Sequence, residues 1–167
     1  NGKSVGETQF RNMHAAYEEL PDEIKQKIEG RTAIHDFEKF WEVMRTRPGS
    51  RRGPLTEAQR AKKPPVSQPL VRIHPITGRK ILYCNPGYTM YVEGMDPLES
   101  GMLLDFLFRH QERADFLYAH HWAVNDVLMW DNIGTVHNAV ADYTAQEPRY
   151  MRRAQVMATL DYPKLVA

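Results

Sequence analysis

From residue 70 to residue 130 the chain is punctuated about every eight to twelve residues by Gly, Pro, Asn or Asp, and segments that short hold strands more readily than long helices. Residues 70–76 and 80–84 read as strands joined by Thr77-Gly78-Arg79, a hairpin signal. A further strand over 88–92 follows the Asn85-Pro86-Gly87 turn, and strands over 115–122 and 127–130 flank a turn at Asn125-Asp126. The last strand covers 151–160. One segment breaks the rhythm. Asp96-Pro97-Leu98-Glu99 combines a capping Asp, a Pro suited to the first helical position and an early Glu, which predicts a helix running to about His110. Its apolar residues Met102, Leu103, Leu104, Phe106, Leu107 and Phe108 surround so much of the helix that it is expected to be well buried. Many short strands with few helices predict a mixed α+β, mainly β fold, built as a double-sheet barrel or sandwich.

The N-terminal third reads differently. Met13, Tyr17 and Leu20 recur at helical spacing, predicting a helix over 10–20. A second short helix opens at Pro21 and stops at Gly30, and 31–35 looks like a strand. Residues 36–70 are basic and Pro-rich with early aromatics (Phe37, Phe40, Trp41), the pattern of a lid or insertion loop within a single domain over 1–167. The formal net charge of +1 offers no electrostatic footprint for nucleic acid, and no apolar run approaches a membrane span. A lone cysteine, Cys84, cannot form an intrachain disulfide and suits a reducing compartment, so a cytoplasmic protein is expected.

The candidate chemistry lies near the C-terminus. His137 follows the turn-rich run Trp130-Asp131-Asn132-Ile133-Gly134, and Arg149 and Arg153 lie four residues apart in a segment, 149–153, that reads as extended. Strand alternation would aim both guanidiniums from one face, about 7 Å apart, an arrangement that favours anionic ligands. A lone histidine of this kind is ordinarily a hydrogen-bonded structural residue, and paired arginines are ordinarily a solvated face. The adjacent His120 and His121 raise a metal-hydrolase alternative, but neighbours on a strand point to opposite faces and share one ion poorly.

The motifs Trp130-Asp131-Asn132, Thr135-x-His137, Ala141-Asp142-Tyr143 and Arg149-x-Met151-x-Arg153-Ala154 together resemble the C-terminal signature of the taurine/2,4-dichlorophenoxyacetate dioxygenase family. The resemblance implies a double-stranded β-helix (jelly roll) with flanking helices and an Fe(II)- and 2-oxoglutarate-dependent dioxygenase. Such an enzyme hydroxylates a small acid, such as a taurine-like sulfonate, a sulfate ester or an aryloxy acid, with O2 as the other substrate and release of succinate and CO2. It implies His137 as an iron ligand, Thr8 and Arg149 as partners of the distal 2-oxoglutarate carboxylate, and Tyr88 and Arg153 as substrate contacts. It implies Trp130 as a neighbour of the metal, Asp131 and Asn132 as formers of the turn that aims His137, and a homo-oligomer as a possible assembly. Because His137 to Arg149 is one residue longer than in the taurine enzyme, Arg152 is the alternative to Arg149.

The chain departs from the family pattern in one respect. The family takes two further ligands from an early His-x-Asp or His-x-Glu, and no such early motif stands here: the one His-x-Glu among the seven histidines, His110-Gln111-Glu112, comes late, at the end of the predicted helix. Gly6-Glu7-Thr8-Gln9-Phe10, with Met13 and Tyr17, resembles the segment that follows those ligands, so the expectation is a C-terminal portion whose N-terminal part is missing. The alternative is a catalytically incomplete jelly-roll relative acting as a binding or scaffold protein.

Overall fold

The structure is a computed structural model, and it describes residues 5–47, 49–144 and 149–156. Among the described residues there are five α-helices and eight short strands, the strands arranged as three small antiparallel sheets. The first sheet has β1 (Thr8–Asn12) at its centre, between β7 (Leu117–His120) and β8 (Thr135–Ala139). The second has β2 (Thr32–His35) between β3 (Val66–Pro69) and β6 (Thr89–Val92). The third is the expected hairpin, β4 (Val71–Ile73) with β5 (Lys80–Leu82). Its turn is closed by the His74 amide on the Arg79 carbonyl at 2.8 Å, with Gly78 supplying the positive φ of +68° that such a turn asks of one residue.

The helices follow their capping signals. Asp96 accepts from the Leu98 and Glu99 amides at 2.9 and 3.2 Å, starting α5 (Pro97–Gln111), and the short helix expected after Pro21 is α2 (Asp22–Ile28). The core gathers Met13, Ala16, Tyr17, Leu20 and Ile28 from the N-terminal segments, Leu70, Ile81 and Leu82 from around the hairpin, and Leu103, Leu104 and Leu107 from α5. Packing is completed by a buried hydrogen bond from the Val92 amide to Ser100 Oγ at 2.8 Å, which ties α5 to β6.

Several expectations need correction. The helix predicted over 10–20 is a strand first: Phe10 to Asn12 belong to β1, and helix α1 occupies only Met13–Glu18. Asn12 supplies the physical reason, because its side chain accepts from the His14 and Ala15 amides and so caps the helix there. Residues 36–70 are not an irregular loop. They hold α3 (Phe37–Arg45), α4 (Glu57–Lys62) and β3, with α4 started by a Thr56–Gln59 capping box and joined to α3 by an Arg60–Glu38 ion pair at 2.8 Å. Helix α5 is buried on one side only, since Leu98 and Met102 are exposed. The strand expected over 115–122 starts with a 3-10 turn at Ala114–Phe116. No strand forms over 127–130, where Val127 and Met129 are almost fully exposed, and β8 forms instead, paired to β1. Residues 151–156 are not strand, and 157–160 lie outside the described residues, as does the expected start at Asn1. Strand alternation therefore does not relate Arg149 to Arg153.

Candidate active site

Antiparallel pairing places Phe10 opposite His137 and Thr8 opposite Ala139, so Thr8, Phe10 and His137 share one face of the first sheet. Thr8 and His137 are diagonal neighbours, about 7–8 Å apart by the geometry of such pairs. Phe10 and Trp130 flank His137, with ring centroids at 6.2 and 5.3 Å. The residue is exposed overall, yet its ring is partly sheltered. That partial burial, with Arg153 adding repulsion, holds the imidazole below its ordinary pKa and favours the unprotonated form that can offer a lone pair.

Thr8 is buried, and its Oγ accepts from Trp122 Nε1 at 2.9 Å. Trp122 is held in turn by an edge-on contact with His120, whose Nε2 lies 3.0 Å from Asp126. Arg149 comes to the start of the same strand: its Nε donates to the Gly6 carbonyl at 3.1 Å and its guanidinium lies 5.5 Å from the Tyr143 ring. Gly6 has φ +72°, and a Cβ there would stand 2.8 Å from Arg149 Nε, so this approach requires glycine. The Gly6 amide donates to Asp142 at 2.6 Å, which draws Asp142-Tyr143 and β1 together.

A cavity of about 1080 Å³ is bordered by His137, Arg153 and Tyr88, and by Phe37, Phe40 and Met44 of α3. Tyr88 stacks on Phe40 at 5.1 Å, and burial pushes its phenol pKa up. Cys84 borders the same cavity with its thiol pushed up to about 12 by burial, which leaves it a poor nucleophile. Thr8 and Arg149 do not border this cavity. The structure thus gathers two groups around the first sheet: Thr8 and Arg149 at the start of β1, and His137, Arg153 and Tyr88 along the cavity. Arg152, the alternative to Arg149, is exposed and bonds to the Tyr150 hydroxyl. His120 and His121 diverge, to Asp126 and Glu7 respectively.

The turn before His137 is built on Asp131. Its carboxylate accepts from the Ile133 and Gly134 amides at 2.8 and 2.7 Å. Burial alone would raise its pKa, but these amides and the His74 side chain outweigh that and hold it low. Asn132 accepts from Trp130 Nε1 at 2.8 Å, fixing the indole that faces His137. The partners that sequence reasoning missed are Trp122 for Thr8, Phe10 for His137 and Phe40 for Tyr88. Only the regular spacing of Phe116, Tyr118, His120 and Trp122 hinted at the first, and a contact between distant strands leaves no local signal.

As for metal binding, His137 fits one ligand position, whereas no group of three His, Cys, Asp or Glu suited to an ion comes together among the described residues. A two-His-one-carboxylate triad would need two donors beyond it.

Residues 2–155 match the profile of the "Taurine catabolism dioxygenase TauD, TfdA family". The chain is 36% identical over 154 residues to an alpha-ketoglutarate-dependent 2,4-dichlorophenoxyacetate dioxygenase of Cupriavidus pinatubonensis, covering 92% of this chain and 51% of that protein. It is 32% identical over 164 residues to pentalenolactone F synthase of Streptomyces avermitilis, covering 95% and 53%. Among solved structures, AAD-2 in complex with Mn(II) and N-oxalylglycine superposes with a TM-score of 0.75 at 34% identity, over 89% of this chain and 56% of that one. A taurine dioxygenase from Burkholderia xenovorans gives 0.65 at 30%, over 83% and 42%. The chain spans about half the length of the curated relatives it matches. With a match along nearly its whole length and a shared antiparallel architecture, the chain belongs to the TauD/TfdA family.

Proposed function

We propose that this chain carries one iron ligand and the ligand-binding arginines of an Fe(II)- and 2-oxoglutarate-dependent dioxygenase that hydroxylates a small anionic organic substrate. The observation that carries this reading is the placement of Thr8 and His137 on one sheet face with Arg149 drawn to the start of the same strand. A 2-oxoglutarate molecule has a chelating end and a carboxylate end, and His137 and the Thr8–Arg149 pair are separated suitably to meet one each.

In this reading His137 offers its lone pair, kept available by partial burial and by Arg153. Arg149 takes the distal carboxylate in a charge-assisted fork, exchanging its bond to the Gly6 carbonyl for a stronger anionic acceptor. Thr8 adds a hydroxyl hydrogen bond to the same carboxylate. Its direction is set by Trp122, because an indole N–H only donates and Thr8 must therefore accept from it. Arg153 and Tyr88, both on the large cavity, meet the anionic group and the body of the substrate. The aromatic side of α3 closes over them as a lid and restricts water. When bound with its co-substrate and O2, the metal supplies the oxidising power for hydroxylation, and the protein's part is orientation and shelter. The known relatives' names favour an aryloxy acid or a sulfonate as the substrate class. The jelly roll is the fold this reading requires around the three sheets, and a reducing cytoplasm suits its single buried thiol. No described helix is long and apolar enough to cross a membrane.

The test is anaerobic addition of Fe(II) and 2-oxoglutarate to the full-length protein. A weak visible charge-transfer band is expected, lost in His137→Ala and displaced to higher 2-oxoglutarate concentration in Arg149→Gln. Absence of the band, together with no succinate from any acid substrate, would favour a binding or scaffold protein instead.

A further inference from the structure

His74 lies in the β4–β5 hairpin, outside the large cavity, and its side chain is 7% exposed. Its ring is held at both nitrogens. The amides of Ile76 and Thr77 point at Nδ1 from 3.2 and 3.1 Å. A backbone amide can only donate, so Nδ1 must present a lone pair and the ring proton must sit on Nε2. Nε2 is 2.9 Å from Asp131 Oδ2, and the only hydrogen bond that tautomer allows there is donation to the carboxylate.

Asp131 passes this constraint onward. Its two oxygens also receive Ile133 and Gly134, while the Gly134 carbonyl takes the Met13 amide at 3.0 Å where β1 meets α1. Gly134 has no room for a side chain, since a Cβ would stand 2.7 Å from Asp131 Oδ2 and 2.9 Å from His14 Nε2. Thr135 Oγ donates to the Asp131 carbonyl and opens β8, with His137 two residues on. Asp131 is also next to Trp130, whose indole faces the His137 ring. Any movement of the Asp131 carboxylate therefore reaches His137 twice, through the entry into β8 and through the indole.

We propose that His74 is a positioning residue for His137, acting through Asp131 as a fixed Nε2–H donor. The hairpin supplies this donor from a different sheet, so the turn is held against rigid backbone, although the Asp131 side chain is 46% exposed. The consequence for iron rests on the function proposed above; the consequence for the conformation of His137 does not.

The experiment uses two variants and two readouts. His74→Phe keeps a ring but removes the donor, whereas His74→Gln can both accept from the two amides and donate to Asp131. Long-range 15N–1H correlation of the histidine side chains in the wild-type protein should show His74 protonated at Nε2 and not at Nδ1. His74→Phe should shift the His137 imidazole signals and weaken Mn(II) binding, followed by electron paramagnetic resonance, by about tenfold, the usual cost of losing an outer support of a metal ligand. His74→Gln should restore both to near wild type. Protonation at Nδ1 would overturn the proposal, as would His137 signals that do not move in His74→Phe. If the full-length wild type does not bind Mn(II), the iron-enzyme reading fails, while the His137 signals still decide this inference. If His74→Phe does not fold, the wild-type tautomer and the His137 signals of His74→Gln decide it, since shifted signals in the latter would count against Gln serving as the same donor.

Discussion

A threonine hydroxyl can accept and donate at once, and at Thr8 the accepting role is already taken by Trp122. Among the described residues Thr8 Oγ has no second hydrogen-bond partner, so its own proton is available to an incoming carboxylate. Losing one such bond is worth about 0.5–1.5 kcal/mol, or roughly two- to tenfold in affinity. Trp122→Phe and Thr8→Ala are each expected to weaken 2-oxoglutarate by that factor, measured by titrating the charge-transfer band, and the double variant by little more than either one. A double variant whose loss equals the sum of the two would show that Trp122 does not act through Thr8.

At the scale of elements, the capped helix α5 links the hairpin, the second sheet and the N-terminal helix. Leu103, Leu104 and Leu107 enter the core, Ser100 takes the Val92 amide, and His110 Nε2 lies 2.8 Å from the Ala16 carbonyl. Its start rests on Asp96, which satisfies two amides that would otherwise lack acceptors. Asp96→Ala should cost about 1 kcal/mol and Asp96→Asn much less, read from urea midpoints by far-ultraviolet circular dichroism. Equal losses in both variants would mean that the carboxylate charge, not the cap, stabilises the helix. The short N-terminal helices depend on this packing, because segments of six or seven residues are not stable alone.

For the whole molecule, the two histidines with lowered pKa set an acid limit. Burial, followed by repulsion from Lys39 for His35 and from Arg153 for His137, holds both below the ordinary value of 6.5. Between those lowered values and 6.5 the unfolded chain binds more protons than the folded one, so stability falls as pH drops through this window and levels off beneath it. Urea midpoints should therefore be lower at pH 5.5 than at pH 7.5, and the difference should shrink in His35→Gln and His137→Gln. An unchanged wild-type midpoint would refute this. Asp131 and Asp126, with pKa values held below 3.8, add their losses only in stronger acid.

Local physics was enough for the elements with their own start and stop signals. The Asp96 cap, the Thr77-Gly78 turn and the Pro21-to-Gly30 segment each state where an element begins or ends, and the family resemblance was legible in the run from Trp130 to Ala154, within the residues 2–155 that match the family. Pairing was not legible. Residues 10–12 carry a helical pattern and become strand because β7 and β8 saturate both edges of β1, and residues 127–130 carry a strand pattern but find no partner. Hydrogen bonds between strands more than a hundred residues apart decide such cases, and a local window does not contain them. For the same reason the sequence named Thr8, Tyr88 and His137 as candidates, while only the tertiary structure decided what touches them: Trp122 on Thr8, Phe40 on Tyr88, and the His74–Asp131 pair behind the turn to His137.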